Sequence, residues 1–317
     1  MAPRATSDGR DAAVASGRPL EGASPGLIEL APDALYALCN AYELDGRVAS
    51  HPLSSRGYAP VNCYLVVENG HALLLDTGYS VHEQALLAQI ASVLPPSSQL
   101  SVWVLRIGEY ASICNVRPVV ERFDVDVLYG SQGVPPEWVD FRPERVPYGS
   151  AIASGALAEI DHRLARQGDS IPVGTSGRTL LTLVAPLRLL PTNWVYDEKT
   201  RTLFTADAFA YAWRPTADGP WLIGDDDDPT SEDGVTQCLL GSRFWWLAGA
   251  RTAEIRTAIA EIFETYPIET IAPSVGCLLQ GERTVRRHHE LLDRILERAA
   301  AMPSIGREVS SWRRSGR

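Results

Sequence analysis

A chain of 317 residues that is 45% apolar and 21% charged carries enough apolar material for a sizeable core, as one large domain or two small ones. Its formal charge of -10 leaves no Lys/Arg-rich face to meet phosphates, which argues against a nucleic-acid partner. No run approaches the roughly 18 apolar residues of a membrane span, and no apolar segment follows Arg4 and Arg10 to make a signal peptide. The five cysteines, Cys39, Cys63, Cys114, Cys238 and Cys277, are scattered and lack C-x-x-C spacing, so neither a disulfide framework nor a zinc ribbon is indicated. A cytoplasmic protein with no membrane partner is expected.

Residues 1–25 are rich in Ala, Gly, Ser, Pro and Arg without hydrophobic periodicity, and read as a disordered arm. A domain is expected over 26–302 and a polar, Arg-rich tail over 303–317. LIEL and ALYALCNAYEL suggest the first strands. Asn62–Glu68 and Ala72–Asp76 follow, joined by Asn69-Gly70, the strongest short hairpin signal. Helical spacing runs from His82 to Leu94 and stops at Pro95-Pro96. An apolar run from Val102 to Leu105 predicts a buried strand that leads through a polar turn into a helix near Val116, and strand-to-helix turns are where α/β proteins commonly place their chemistry.

Val125–Tyr129 reads as another strand, and Gly133–Pro147 as a loop anchored by Trp138 and Phe141. An edge hairpin is expected over Ile152–Ala165, and paired strands in GDSIPVG and RTLLTLVAP. Asn193–Tyr196 and Thr202–Thr205 should pair around DEKT and end at Asp207. The acidic run Asp225–Asp228 with Glu232-Asp233 reads as a solvated loop, with a weak cation site as the sharper alternative. Ser242–Thr265 is expected to be helical, Ile268–Ile271 a last strand and Thr284–Ala299 an amphipathic helix. Pattern alone supports an α/β protein.

Four segments, taken in order, resemble the oxygen-binding diiron domain of flavodiiron proteins, within the metallo-β-lactamase superfamily. NCYLVVENGHALLLDTG is similar to the opening hairpin, and LRIGEYASICNVRPVVERF to the metal-ligand turn and its helix. PLRLLPTNWVYDEKTRTLFTADAFA is similar to the segment ending in the bridging aspartate, and SRFWWLAGARTAEIRTAIAEIFETYPIETIAPSVG to the closing helix and strand. The resemblance spans roughly Pro60 to Gln280 and implies a four-layer αββα metallo-β-lactamase-like sandwich.

It also implies where metal ligands would stand. These positions hold Ile107, Glu109, Ala111, Ser112, Leu189, Asp207 and Val275, so only Glu109 and Asp207 keep a ligand side chain. Iron or zinc needs imidazoles or thiolates beside its carboxylates, and an oxygen-only pair suits at most weak Mg²⁺ or Ca²⁺. No iron or other metal is therefore expected. No FMN domain is expected either, because the chain ends soon after the closing motif.

Two readings of this degenerate site follow. In the first, a pseudoenzyme keeps the cleft as a small-molecule-binding or interaction module. In the second, an enzyme acts on a small metabolite as hydrolase or oxidoreductase, with a non-standard metal or cofactor or with Glu109 and Asp207 as acid and base. Arg106 and Arg188 flank lost ligand positions and are candidates to supply positive charge. Tyr110, Ser112, Asn193, Trp194, Phe209 and Tyr211 are candidate ligand contacts. Cys114 and Cys277 adjoin old ligand positions, where a buried free thiol is the plainer reading, and Asp76 is expected to brace the ligand loop. The enzyme reading requires Glu109, Asp207 and an arginine to converge around an open pocket. The binding-module reading requires them paired off or dispersed, with Ile107, Leu189 and Val275 filling the pocket. A homodimer is a further expectation from the resemblance.

Overall fold

The computed structural model describes residues 18–19, 25–133 and 156–303. Most of the arm and tail, the anchors Trp138 and Phe141, and the first part of the expected edge hairpin lie outside the described residues.

The first sheet has eight strands in chain order: β1 (Arg18–Pro19), β2 (Leu27–Ala31), β3 (Leu35–Glu43), β4 (Tyr58–Glu68), β5 (His71–Leu75), β6 (Gln99–Val104), β7 (Val125–Gly130) and β8 (Asp161–Leu164). Pairing is antiparallel through β5 and parallel from β5 to β8. The Asn69-Gly70 turn has both residues at positive φ, as a two-residue hairpin with right-handed twist requires. Helices α1 (Glu83–Val93) and α3 (Val116–Arg122) form the crossovers, and α2 (Tyr110–Ile113) is a single turn between them.

The second sheet contains β9 (Ser170–Pro172), β10 (Thr179–Val184), β11 (Asn193–Asp197), β12 (Thr202–Ala206), β13 (Leu222–Ile223), β14 (Thr270–Pro273) and β15 (Leu278–Gln280), in the order β13-β15-β14-β12-β11-β10-β9. The larger core lies between the sheets and includes Trp103, Tyr64, Trp194, Phe204 and Phe209. It continues beneath α6 (Ala253–Thr265) and α7 (Glu282–Ala301), the latter burying Val285, Leu291, Leu292, Ile295 and Leu296. A second core packs α1 and α3 on the outer face of the first sheet through Leu86, Ile90, Val116 and Val119. The layers are thus helix, sheet, sheet, helix, the expected αββα sandwich.

Four local expectations are corrected. Arg18–Pro19 pairs with Ile28 and Glu29 inside the segment expected to be unstructured. The described part of the edge hairpin is a helical turn, α4 (Ala156–Glu159), followed by β8 running parallel to β7. The helix expected over Ser242–Thr265 is broken. A short helix, α5 (Glu232–Cys238), a π-helical turn, Leu239–Arg243, and a 3₁₀ turn, Trp245–Leu247, precede α6.

The acidic run is not simply solvated. Asp225 accepts hydrogen bonds from the Thr284 backbone and hydroxyl at 2.7 and 2.8 Å, capping α7. Asp226 pairs with Arg283, Asp227 with Arg214, and Asp228 with Arg287 and His288. The aspartates strap their loop to α7 and the Arg214 segment.

Candidate functional site

The two sheets meet along one edge, and there the old ligand segments converge. Isolated bridges join Val61 to Val275, Arg106 to Thr192, and Tyr58 to Arg214. The Gly276 N–H donates to Pro60 O at 2.8 Å, and a Cβ at Gly276, whose φ is 91°, would stand 2.9 Å from the Ala212 carbonyl oxygen. A side chain there would collide with the Ala210–Ala212 backbone.

Asp76 and Asp207 enter this edge from the ends of β5 and β12. Asp76 has φ 60°, and Ala206, just before Asp207, has φ 51°. Positive φ at a residue with a Cβ costs energy that the surrounding fold must hold, and such positions concentrate at functional sites. Asp76 Oδ1 accepts from the Leu105 N–H at 2.8 Å, and Oδ2 accepts from the Ser274 hydroxyl at 2.8 Å. It braces the turn from behind.

Arg106 is fully buried between the two aspartates. Its Nη1 donates to Asp207 Oδ1 at 2.8 Å, its Nε donates to the Ser112 hydroxyl at 3.2 Å, and its Nη2 lies 3.5 Å from Asp76 Oδ2. A second guanidinium also reaches Asp207 Oδ1, that of Arg243 on the π-helical turn. The i→i+5 turn is a local distortion frequent at functional sites, and here it delivers a side chain only 7% exposed. Burial pushes the Asp207 carboxyl up, but the two guanidiniums outweigh it and hold it below the usual carboxylate range. Burial raises Asp76, against the pull of Arg106 and its hydrogen bonds.

The remaining candidate residues divide. Ile107 is buried in the helix-side core, and Ala111 and Val275 join Val61 and Ala210 in a small apolar cluster with Tyr42 and Tyr79 against it. Glu109 is half-buried at the rim. Tyr110 is 63% exposed. Leu189 is 41% exposed and does not fill the pocket, and Arg188 turns to the Ala185 carbonyl rather than to Asp207. Asn193 donates to Ala165 O at 3.1 Å, and Trp194, Phe209 and Tyr211 pack in the main core, away from any open cleft. Cys277 is buried, and burial pushes its thiol up to about 12; Cys114 is half-buried.

Sequence reasoning missed Arg243, His51, Tyr42 and Tyr79. The rings of Tyr42 and Tyr79 are 5.9 Å apart, those of Tyr42 and His51 6.1 Å, and those of His51 and Trp213 5.7 Å. An arginine inside the aromatic run SRFWW was the one available signal for Arg243. His51 stands in a loop between β3 and β4, where periodicity carries no information.

Buried polar atoms at this place that lack a hydrogen-bond partner among the described residues include Asp207 Oδ2, Arg106 Nη2, Arg243 Nε, His51 Nε2 and the Tyr42 hydroxyl. Among the same residues, no group of three or more His, Cys, Asp and Glu side chains could hold a metal ion. The donor set does not fit a diiron centre. Its one buried carboxylate is taken by two guanidiniums, and Ile107, Ala111 and Val275 offer no donor atom.

No protein-family model matches the chain, and no curated protein sequence matches it. Solved structures do. Rubredoxin oxygen:oxidoreductase from Desulfovibrio gigas superposes with TM-score 0.60 at 16% identity, covering 88% of this chain and 62% of that one. A metal-soaked flavodiiron core from Synechocystis gives 0.59 at 14% identity, covering 86% and 60%.

The fold is that of the metallo-β-lactamase-like core of flavodiiron proteins. The chain spans about three-fifths of the length of those two relatives. A fragment of a diflavin flavoprotein from Nostoc, TM-score 0.58 at 12% identity, is covered over 95% of its length and 86% of this chain. At such identities the likeness carries the fold alone, and the chemistry must come from the side chains. Of the expected ligand positions only Asp207 joins the cluster, with Arg106 from the turn after β6, Arg243 from the π-helical turn and Asp76 from the end of β5.

Proposed function

We propose that this protein is a metal-site-degenerate flavodiiron-fold domain that binds a small molecule in the ancestral cleft without diiron chemistry. The observation that carries the reading is the double capture of Asp207 Oδ1 by Arg106 and Arg243. A carboxylate held ionised by two permanent cations is a poor general base, and a guanidinium is no acid near neutral pH. Among the described residues Glu109, at the rim, makes no hydrogen bond or ion pair with either arginine, so acid, base and cation do not converge as acid–base catalysis requires. What the arrangement can do is bind: it offers fixed charge, unpartnered polar atoms and aromatic faces.

The test is elemental analysis of the full chain purified without chelator or histidine tag, repeated on Asp207→Ala and Glu109→Ala. Metal far below one per chain is expected in all three. Near-stoichiometric iron, zinc or manganese that disappears in the variants overturns the reading. A cytoplasmic homodimer belongs to the same proposal, and light scattering that returns a monomer mass removes the dimer. No helix among the described residues is long and apolar enough to cross a membrane.

A further inference from the structure

The cluster around Arg243 has a polarity that narrows what it can hold. Arg243 spends Nη1 on Asp207, while its Nε, in a side chain more than nine-tenths buried, donates to nothing among the described residues. His51 is 3% exposed; its Nδ1 meets the Ser50 hydroxyl at 3.1 Å, and its Nε2 is unpartnered. When Ser50 donates to Nδ1, the neutral ring carries its proton on Nε2 and presents a second N–H. Burial, helped by the Arg243 charge, lowers the His51 pKa to about 3, so the ring is neutral across the physiological range.

Around these donors stand aromatic faces. Tyr42, Tyr79 and Trp213 are half-buried, and Trp213 is fixed by its indole N–H donating to Arg56 O at 3.1 Å. Beneath Tyr42 and Tyr79 the floor is apolar, made by Ala111 and Val275 where the fold family would place ligands. A buried donor without an acceptor is costly, and a charge-assisted acceptor recovers most of that cost. The acceptor should carry one negative charge rather than two. Asp207 and Asp76 already balance Arg106 and Arg243, and Glu109 adds a further negative charge at the rim.

We propose that this cluster binds a small aromatic carboxylate, its carboxylate accepting from Arg243 Nε and His51 Nε2 and its ring against Tyr42, Tyr79 and Trp213. The proposal rests on the cleft being a binding site and adds the ligand class.

The experiment is ¹⁹F NMR of 4-fluorobenzoate titrated with the full chain, in parallel with 4-fluorobenzamide and with inorganic phosphate as competitor. Saturable broadening by the protein is expected, weakened about tenfold or more in Arg243→Gln and in Trp213→Leu. Circular dichroism confirms that each variant is folded, and Trp213→Leu, at a half-buried position, carries the test should Arg243→Gln unfold. The neutral amide should bind at least about tenfold more weakly than the acid. Equal binding of the amide overturns the carboxylate assignment. Displacement of the acid by equimolar phosphate, with Trp213→Leu unaffected, reduces the site to an anion contact and also overturns it. In both cases the cleft still binds small molecules and the broader reading stands. No response to any probe overturns the ligand class, while the metal analysis decides the broader reading independently.

Discussion

Two buried arginine–aspartate assemblies hold this molecule, and they differ in how completely they are satisfied. Arg178, just before β10, donates through Nε to Asp197 at 3.3 Å, through Nη1 to the Ala34 and Val67 carbonyls at 3.0 Å each, and through Nη2 to Asp197 again. Asp197 also accepts from the Thr200 hydroxyl. No side-chain atom of that pair is left without a partner, and it ties the second sheet to the backbone of the first. The Arg106–Asp207–Arg243 assembly buries one charge more and leaves Asp207 Oδ2, Arg106 Nη2 and Arg243 Nε without a hydrogen bond. A buried polar group without a partner is expensive, so a fold that keeps one has a ligand, a water or strain to account for it. The complete assembly is structural, and the incomplete one is where the proposed binding is expected.

The comparison breaks most visibly at Arg178. Arg178→Met leaves Asp197 buried and uncompensated, and a loss of about 3–5 kcal/mol in urea unfolding is expected, with no change in 4-fluorobenzoate affinity for protein that remains folded. Ile107→Ala, in the helix-side core at a former ligand position, should cost about 2–5 kcal/mol, as other large-to-small changes in packed cores do. If that substitution were instead neutral and increased metal content, the apolar reading of the old pocket would fail. Arg243→Gln should be milder, about 1–3 kcal/mol, because Asp207 keeps Arg106. Its larger effect should be on ligand binding.

The pH dependence sharpens the same contrast. Asp207 has a folded pKa below its unfolded value, so its contribution is complete above about pH 4 and is lost as pH falls through the folded value. His51, lowered to about 3, favours the folded state above about pH 6.5 and withdraws that support as pH falls from there towards 3. Stability measured by urea unfolding should therefore begin to decline below about pH 6.5. His288 is lowered to about 3 as well and adds to this decline, so His51→Gln should reduce its upper part without abolishing it and leave the part below about pH 4. An unchanged slope between pH 6 and 4.5 in this variant would show that His51 is not buried as a neutral ring.

How much of this was legible in the sequence depends on the kind of signal. Strands announced themselves by apolar runs and by Asn69-Gly70, and four ordered motifs identified the fold although identity to its solved relatives is only 12–17%. Asp207 and Arg106 could be named because they stand in or beside a motif. Arg243 could not, since a π-turn and a helix break rotate it inward from a segment whose spacing reads as one regular helix. The aromatic residues failed in the opposite direction. Trp194, Phe209 and Tyr211 belong to motifs and were placed at the cleft, yet alternation along β11 and the positive φ of Phe209 turn them into the main core. Tyr42 and His51 lie outside the motif frame, and only the approach of the first sheet to the second brings them to Asp207's neighbourhood.

The smallest expected effect tests the register of the resemblance itself. Leu189 occupies a former histidine position by motif alignment, and a pocket-filling leucine there would resist truncation as Ile107 should. The structure turns Leu189 outward at 41% exposure and buries Leu187, two residues earlier, in the main core. Leu189→Ala should therefore change unfolding free energy by no more than about 0.5 kcal/mol. It should also leave 4-fluorobenzoate binding untouched, since the proposed contacts all lie on Arg243, His51 and the three aromatic side chains. A loss above about 2 kcal/mol, of the size that cavities produce, would mean that Leu189 packs into the old metal pocket after all. The loop from Ala185 to Thr192 would then close over Asp207, and an unpartnered carboxylate oxygen beneath a leucine lid would be a sealed defect rather than a binding group.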